Sequence, residues 1–335
     1  AASRILTLFQ LEKWKIETKA SVKRESLGEE IQVGGELFIT GASGVYRGFP
    51  YPLHEISANI KFNNDDITIE YLSALGSNGA AVHINGTVQA AGDSLVVRID
   101  INAPEAPLDK ELHDALPESI ATVMDKMLDE SALAKMSAVL DASELEDFSL
   151  GGTVELNLEV FHDSKVDDSV EVTGEIAFEN VGVVHEAFSY PVTLKYGRVL
   201  LEESGIYIPD GEMIRFEGSG GGEGKMIGSI LFEENGFASP KLGFVLEQEA
   251  VNPALIEAVS FAAGESYQLA LNVLNGLGLE SMLTVKGSVN GNRDEDIDTM
   301  FVVELLDGKV QLATVHDCLC VACLGSNVVV DAELD

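Results

Sequence analysis

Apolar and polar residues alternate one for one along most of this chain. Ile56, Ala58, Ile60 and Phe62 alternate with Ser57, Asn59, Lys61 and Asn63. A polar break at Asn64-Asp65-Asp66 follows, after which Ile67, Ile69 and Tyr71 alternate with Thr68 and Glu70. The same period runs through Val82-Ile84-Gly86-Val88, Val97-Ile99-Ile101 and Val154-Leu156-Leu158-Val160. A period of two sends successive side chains to opposite faces, so each run predicts a strand with one apolar and one wetted face. That is the antiparallel signature, and turn residues at short spacing make a meander the natural topology. Near the start, Lys13, Lys15, Lys19, Lys23 and Arg24 intercalate with Trp14, Ile16, Thr18, Ala20 and Val22, which reads as the wet face of a strand.

Two stretches switch to helical spacing. Asp109 is placed to cap a short helix through Leu116, and Pro117 opens another containing Ile120, Val123, Met124, Met127 and Leu128. Asn252-Pro253 is a good N-cap and first-turn pair, and the run Tyr267 to Leu274 ends at Gly276. Helical segments are therefore expected within 105–140 and 251–276, packed on the sheet's apolar face or across its rim.

The pattern occurs twice. Residues 33–69 align with 172–208 at a constant offset, with Val33/Val172, Gly35/Gly174, Glu36/Glu175, Phe49/Phe188, Tyr51/Tyr190, Pro52/Pro191, Ile67/Ile206 and Ile69/Ile208 among the identities. The most visible marker is FPYP at 49–52 against FSYP at 188–191. Three inserted residues later, GSNG at 76–79 meets GSGG at 218–221, and Gly86-Thr87-Val88 meets Gly228-Ser229-Ile230. One residue further on, Leu108, Leu112, Ala115 and Leu116 meet Val251, Leu255, Ala258 and Val259. A third copy is expected to begin at Gly308-Lys309-Val310-Gln311-Leu312.

The organisation predicted is a strand region over 1–32 completing a preceding unit and a first repeat over 33–150. A second repeat covers 151–283, and 284–335 starts a truncated third. The fold class is mainly β with minor α: an elongated, curved antiparallel sheet of repeated meander units with one helical segment each. About a dozen strands spaced ~4.8 Å apart make a sheet of roughly 55–60 Å, which two amphipathic helices do not cover. Either the sheet closes on itself, or part of its apolar face stays open as a groove of the kind that marks a binding surface.

Charge removes several functions. With 56 acidic against 21 basic residues the formal charge is −35, which repels phosphate backbones, so no nucleic-acid partner is expected. There is no run of 18 apolar residues. GSGGGEGK at 218–225 lacks the glycine spacing of a phosphate loop and has Met226 where Ser or Thr is needed. Asp294-Glu295-Asp296 with Asp298 reads as a solvated turn, because it lacks the glycine and terminal Glu of a calcium loop. His316, Cys318, Cys320 and Cys323 place four soft ligands in eight residues, a weak zinc candidate set against buried or incidental thiols. No nucleophile signature such as G-x-S-x-G or H-E-x-x-H is present, so a non-enzymatic protein without a cofactor is expected.

The stretch YPLHEISANIKFNNDDITIEYLSALGSNGAAVHINGTV, with the helix APLDKELHDALPESI, resembles the repeating unit of the AsmA-like family of TamB-type and YhdP-type proteins. The resemblance covers about 31–160 well and 170–260 more loosely. It implies an internal fragment of a longer, membrane-anchored envelope protein in the bacterial periplasm. Such a protein holds phospholipid acyl chains in an apolar β-groove and passes them between the inner and outer membranes. Membranes would then be met through other parts of the longer protein. The family offers no catalytic residues, and the terminal cysteine cluster is not part of its pattern. On the strand faces, the groove-lining residues expected are Ile60, Phe62, Ile67, Ile69, Ile84, Val97 and Ile99, with Ile206, Ile208 and Phe216 in the second repeat. If the groove is open, an aspartate at Ile69 or Ile208 is expected to be tolerated by the fold while obstructing lipid. The competing reading is a structural or adhesive envelope protein with closed sandwich cores.

Overall fold

A computed structural model describes residues 9–12, 15–24, 26, 31–46, 48–91, 94–139, 145, 148–165, 170–185, 188–232, 238–261, 281–291, 297–305, 321–324 and 327–333. The fold is mainly β with minor α, and the long strands pair antiparallel with their neighbours. The chain divides into two compact units. One comprises residues 1–117, 153–176 and 201–203, the other 118–152, 177–200 and 204–335.

In the first unit, β1 (Phe9–Glu12) and β2 (Lys15–Lys23) pair in one register along β3 (Gln32–Tyr46). The meander continues through β4 (Phe49–Phe62), β5 (Asp66–Leu75), β6 (Ala81–Ala91) and β7 (Ser94–Pro107). β8 (Thr153–Asp163) then pairs along β7. Helix α1 (Lys110–Ala115) starts where the sequence requires. The Asp109 carboxylate accepts the Leu112 N–H at 3.0 Å, and Leu112 and Ala115 are buried on the side packed against β4.

The second unit holds α2 (Glu118–Met127), α3 (Glu130–Val139), and parts of β9 (Glu171–His185) and β10 (Phe188–Glu202). Then come the short β11 (Gly205–Tyr207) and β12 (Ile214–Gly218), and the long pair β13 (Glu223–Phe232) and β14 (Ala238–Ala250). Helix α4 (Pro253–Phe261) follows, capped by the Asn252 side chain, which accepts the Leu255 N–H at 2.8 Å. The later strands are β15 (Met282–Gly291), β16 (Ile297–Leu305), β17 (Val321–Leu324) and β18 (Asn327–Glu333). Met136 of α3 packs with Val251, Leu255, Ala258, Tyr190 and Leu283 in one apolar cluster. A helix that follows the first repeat in sequence thus contributes to the second unit's core. Compaction and the sequence repeat therefore divide the chain at different places.

The repeat reappears as hydrogen-bond register. Ile67 faces Val88 across β5 and β6, and Ile206 faces Ile230 across β11 and β13, at equivalent positions. Val88 faces Val97 as Ile230 faces Pro240, and Ile99 faces Val160 as Leu242 faces Val289. Even the irregularities recur: β7–β8 slips register between Ala103 and Ala106, and β14–β15 slips between the equivalent Leu246 and Glu249. The three-residue insertion of the second copy falls where β5 has its own slip, between Ile69 and Leu72. A bulge already disrupts the ladder there, so extra residues cost few hydrogen bonds and merely split one strand into β11 and β12.

The run 267–276 and the third copy at 308–312 lie outside the described residues, as do His316, Cys318 and Cys320; Cys323 falls in β17. Among the described residues no group of His, Cys, Asp or Glu is arranged to hold a metal ion. Among them, too, no helix is long and apolar enough to cross a membrane.

Candidate apolar groove

Residues directly opposite one another in an antiparallel ladder project from the same face. Leu37, Ile60, Ile69, Gly86, Ile99 and Val160 form one such row across six strands. Phe62, Ile67, Val88 and Val97 form the row beside it. On the other side, Ile39, Ala58, Leu72, Ile84, Ile101 and Leu158 form a third. All seven first-repeat residues expected to line a groove therefore share one apolar face. The reverse face carries ion pairs such as Lys61–Glu70 and Arg98–Glu159.

Depth varies along that face. Ile60 and Phe62 are half-buried, whereas Ile69 is 3% exposed, Ile99 2% and Val97 0%. Ile67 and Ile84 are also buried. An aspartate at Ile69 thus meets a closed environment, against the expectation for an open groove. In the second repeat Ile206 and Ile208 are half-buried, and Phe216 is buried with its ring over Gly224.

A cavity of about 40 Å³ opens on the apolar face of the first unit. Its wall includes Tyr46, Phe49, Tyr51 and Ile56 together with Ile84 and Ile99, and so draws on β3, β4, β6 and β7 as well as Leu72 of β5. Side chains from five consecutive strands converge on one space, so the sheet of this unit curls around it. The wall is buried except at Gly44 and Val45, which are half-buried. It is apolar, and its Tyr46 phenol is pushed up to about 12 by burial and stays neutral. Ile84 and Ile99 are the expected lining residues that reach the cavity; Ile60, Phe62, Ile67, Ile69 and Val97 lie elsewhere on the same face. The aromatic wall was missed, although the Phe-x-Tyr-Pro marker pointed to it.

That marker has a second role, at one end of each repeat. In the first repeat the Tyr51 hydroxyl accepts the Ser77 N–H at 3.2 Å, and the Ser77 hydroxyl donates to Asp109, the cap of α1. A Cβ on Gly76 would come within 2.5 Å of the Tyr51 ring. In the second repeat the Tyr190 hydroxyl accepts the Gly220 N–H at 3.1 Å, and Asn252, the cap of α4, donates to the Ser219 hydroxyl at 3.1 Å. Each unit thus ties tyrosine, glycine-rich tip and helix start into one polar knot. The tips share left-handed backbone at Gly79 (φ 77°) and Gly221 (φ 84°).

The second knot holds one extra group. Glu249, fully buried, accepts from the Tyr190 hydroxyl, from Gly220 N–H at 2.7 Å and from Gly222 N–H at 2.8 Å. Burial pushes its carboxyl above the usual range against the opposing pull of those bonds, and pushes the Tyr190 phenol up as well. This carboxylate takes the place of Ala106 in the first repeat. A single strand-face rule did not single it out.

No family model, curated protein or solved structure matches the chain.

Proposed function

We propose that this chain is a non-enzymatic lipid-handling segment that holds phospholipid acyl chains against the apolar face of its sheet, as its AsmA-like sequence pattern implies. The observation that carries the reading is the apolar cavity of the first unit, walled by five curled strands and least covered at Gly44 and Val45. Its wall offers no ion pair and no catalytic constellation, which suits a varied lipid pool. About 40 Å³ accepts roughly three waters or as many methylenes, so the cavity receives only the end of an acyl chain, and the half-buried Leu37, Ile60 and Phe62 are left on the same face for the rest. In this reading the segment belongs to a longer, membrane-anchored periplasmic protein of the bacterial envelope.

The test is displacement of a fluorescent fatty acid from the purified chain, with Gly44→Trp placed on the cavity side of β3, opposite Leu53. Binding should be saturable in the parent and weakened at least ~tenfold by the plug, with an unchanged thermal midpoint. Equal binding by both proteins excludes the cavity as the site. The structural, closed-core reading has its own supporting observation: Ile69, Val97 and Ile99 are buried as deeply as ordinary core residues. It requires that neither protein bind the probe.

A further inference from the structure

The polar face of the first unit holds a depression built from three adjacent strands. Each presents two residues to it: Thr68 and Glu70 from β5, Thr87 and Asn85 from β6, Arg98 and Asp100 from β7. Spacings of ~4.8 Å between strands and ~6.7 Å between alternate residues make this a grid of roughly 10 by 7 Å. The short side chains of the middle strand lie between the longer Glu70 and Arg98. The space left is about 450 Å³, within the range of small-ligand sites. Both long walls are held in place. Glu70 accepts from Asn59 at 3.0 Å and from Lys61, while Arg98 pairs with Glu159 at 2.9 Å and lies over the Phe161 ring. The side chains of Thr68, Asn85, Thr87 and Asp100 have no hydrogen-bond or ionic partner among the described residues. Beside them β5 bulges, so that Glu70 and Tyr71 together stand opposite Asn85, and the Tyr71 ring is left 50% exposed on the same face. The fold does not demand this set. In the same register the second repeat carries Met213 for Tyr71, Ile227 for Asn85 and Gly243 for Asp100, with Ile227 opposite Gly243 as Asn85 is opposite Asp100.

We propose that this depression binds a neutral pyranose sugar, carried by an oligosaccharide or by a glycosylated lipid headgroup. Its two carboxylates accept hydrogen bonds, its guanidinium donates them, and its two hydroxyls and one carboxamide do both. Sugar hydroxyls also do both, so they satisfy the whole set. Two carboxylates against one guanidinium leave the grid acidic, and that one cation is already paired, which disfavours a phosphate or carboxylate ligand. A metal ion is disfavoured too, because among the described residues no group of carboxylates and imidazoles is arranged to hold one. An apolar ligand would cover the four unpaired polar groups without replacing their water. A pyranose instead offers hydroxyls around its rim and an apolar C–H face, and the exposed Tyr71 ring is a surface for that face. The site lies on the opposite face of the sheet from the apolar cavity, so it stands or falls independently of lipid binding there.

The test is a saturation-transfer NMR titration of the intact chain with cellotetraose, a neutral β-linked glucose oligomer. A second arm compares flotation of the chain with phosphatidylcholine vesicles that contain or lack a glucosyl diacylglycerol. Cellotetraose should bind saturably with Kd below ~5 mM. Extra retention on the glucosylated vesicles assigns the source to a lipid headgroup, and equal retention on both assigns it to a free glycan. Asp100→Ala and Tyr71→Ser, both at exposed positions, should each weaken cellotetraose binding at least ~tenfold with an unchanged thermal midpoint. Tyr196→Ser, which removes an exposed tyrosine of the second unit, should leave binding as it was. No saturable binding up to ~10 mM, binding that survives both first-unit substitutions, or an equal loss with Tyr196→Ser overturns the proposal.

Discussion

Tyr51 and Tyr190 show how one residue serves two structures: the ring fills an apolar wall or cluster, and the hydroxyl closes a glycine-rich tip. Tyr51→Phe keeps the ring and leaves the part-buried Ser77 N–H short of its acceptor. The expected loss is about 1–2 kcal/mol by denaturant unfolding. Glu249 gives a pH prediction. Its carboxyl is raised by burial, so the folded chain keeps a proton that the unfolded chain has released. Stability from this site is fully present below the unfolded carboxyl range and is lost as pH rises through the folded value. The thermal midpoint of the parent relative to Glu249→Ala should therefore improve on acidification from pH ~7 to ~4.5, and a flat difference would contradict the assignment. Neither tyrosine's hydroxyl partner nor Glu249's burial was legible in sequence. Both depend on a tip 26 to 30 residues away folding back onto the strand.

Strands and helix starts were the most legible elements, because period two and N-cap chemistry are local. Asp109 and Asn252 cap α1 and α4 as their positions imply, and each also holds a tip serine. Replacing either by alanine should cost about 1 kcal/mol for the cap, and more at Asp109 if the Ser77 contact adds to it. Chemical denaturation of the single variants measures both. Register slips were not legible. Alternation continues through Ile67, Ile69 and Tyr71 in sequence, yet β5 slips after Ile69, so Tyr71 turns to the exposed side and Leu72 takes the inner row. The inserted segment between β11 and β12 is tied instead by Arg198 to Glu212 at 2.7 Å.

At the scale of the molecule, the repeat was visible in the order of residues but the compact units were not, since β8 and α3 join units that their sequence neighbours do not predict. Depth on the apolar face was equally hidden: alternation says which face a residue takes, never how much covers it. Ile69→Asp should cost several kcal/mol, a large part of a typical domain's stability, whereas Ile208→Asp, at a half-buried position just past β11, should cost distinctly less. Paired thermal midpoints decide this. The most direct test of the central claim is extraction of the chain, purified without detergent, into organic solvent followed by mass spectrometry of the extract. The account predicts phospholipid in near-stoichiometric amount, depleted by Gly44→Trp. A lipid-free extract from folded protein would contradict it and leave the sheet's apolar face as closed core.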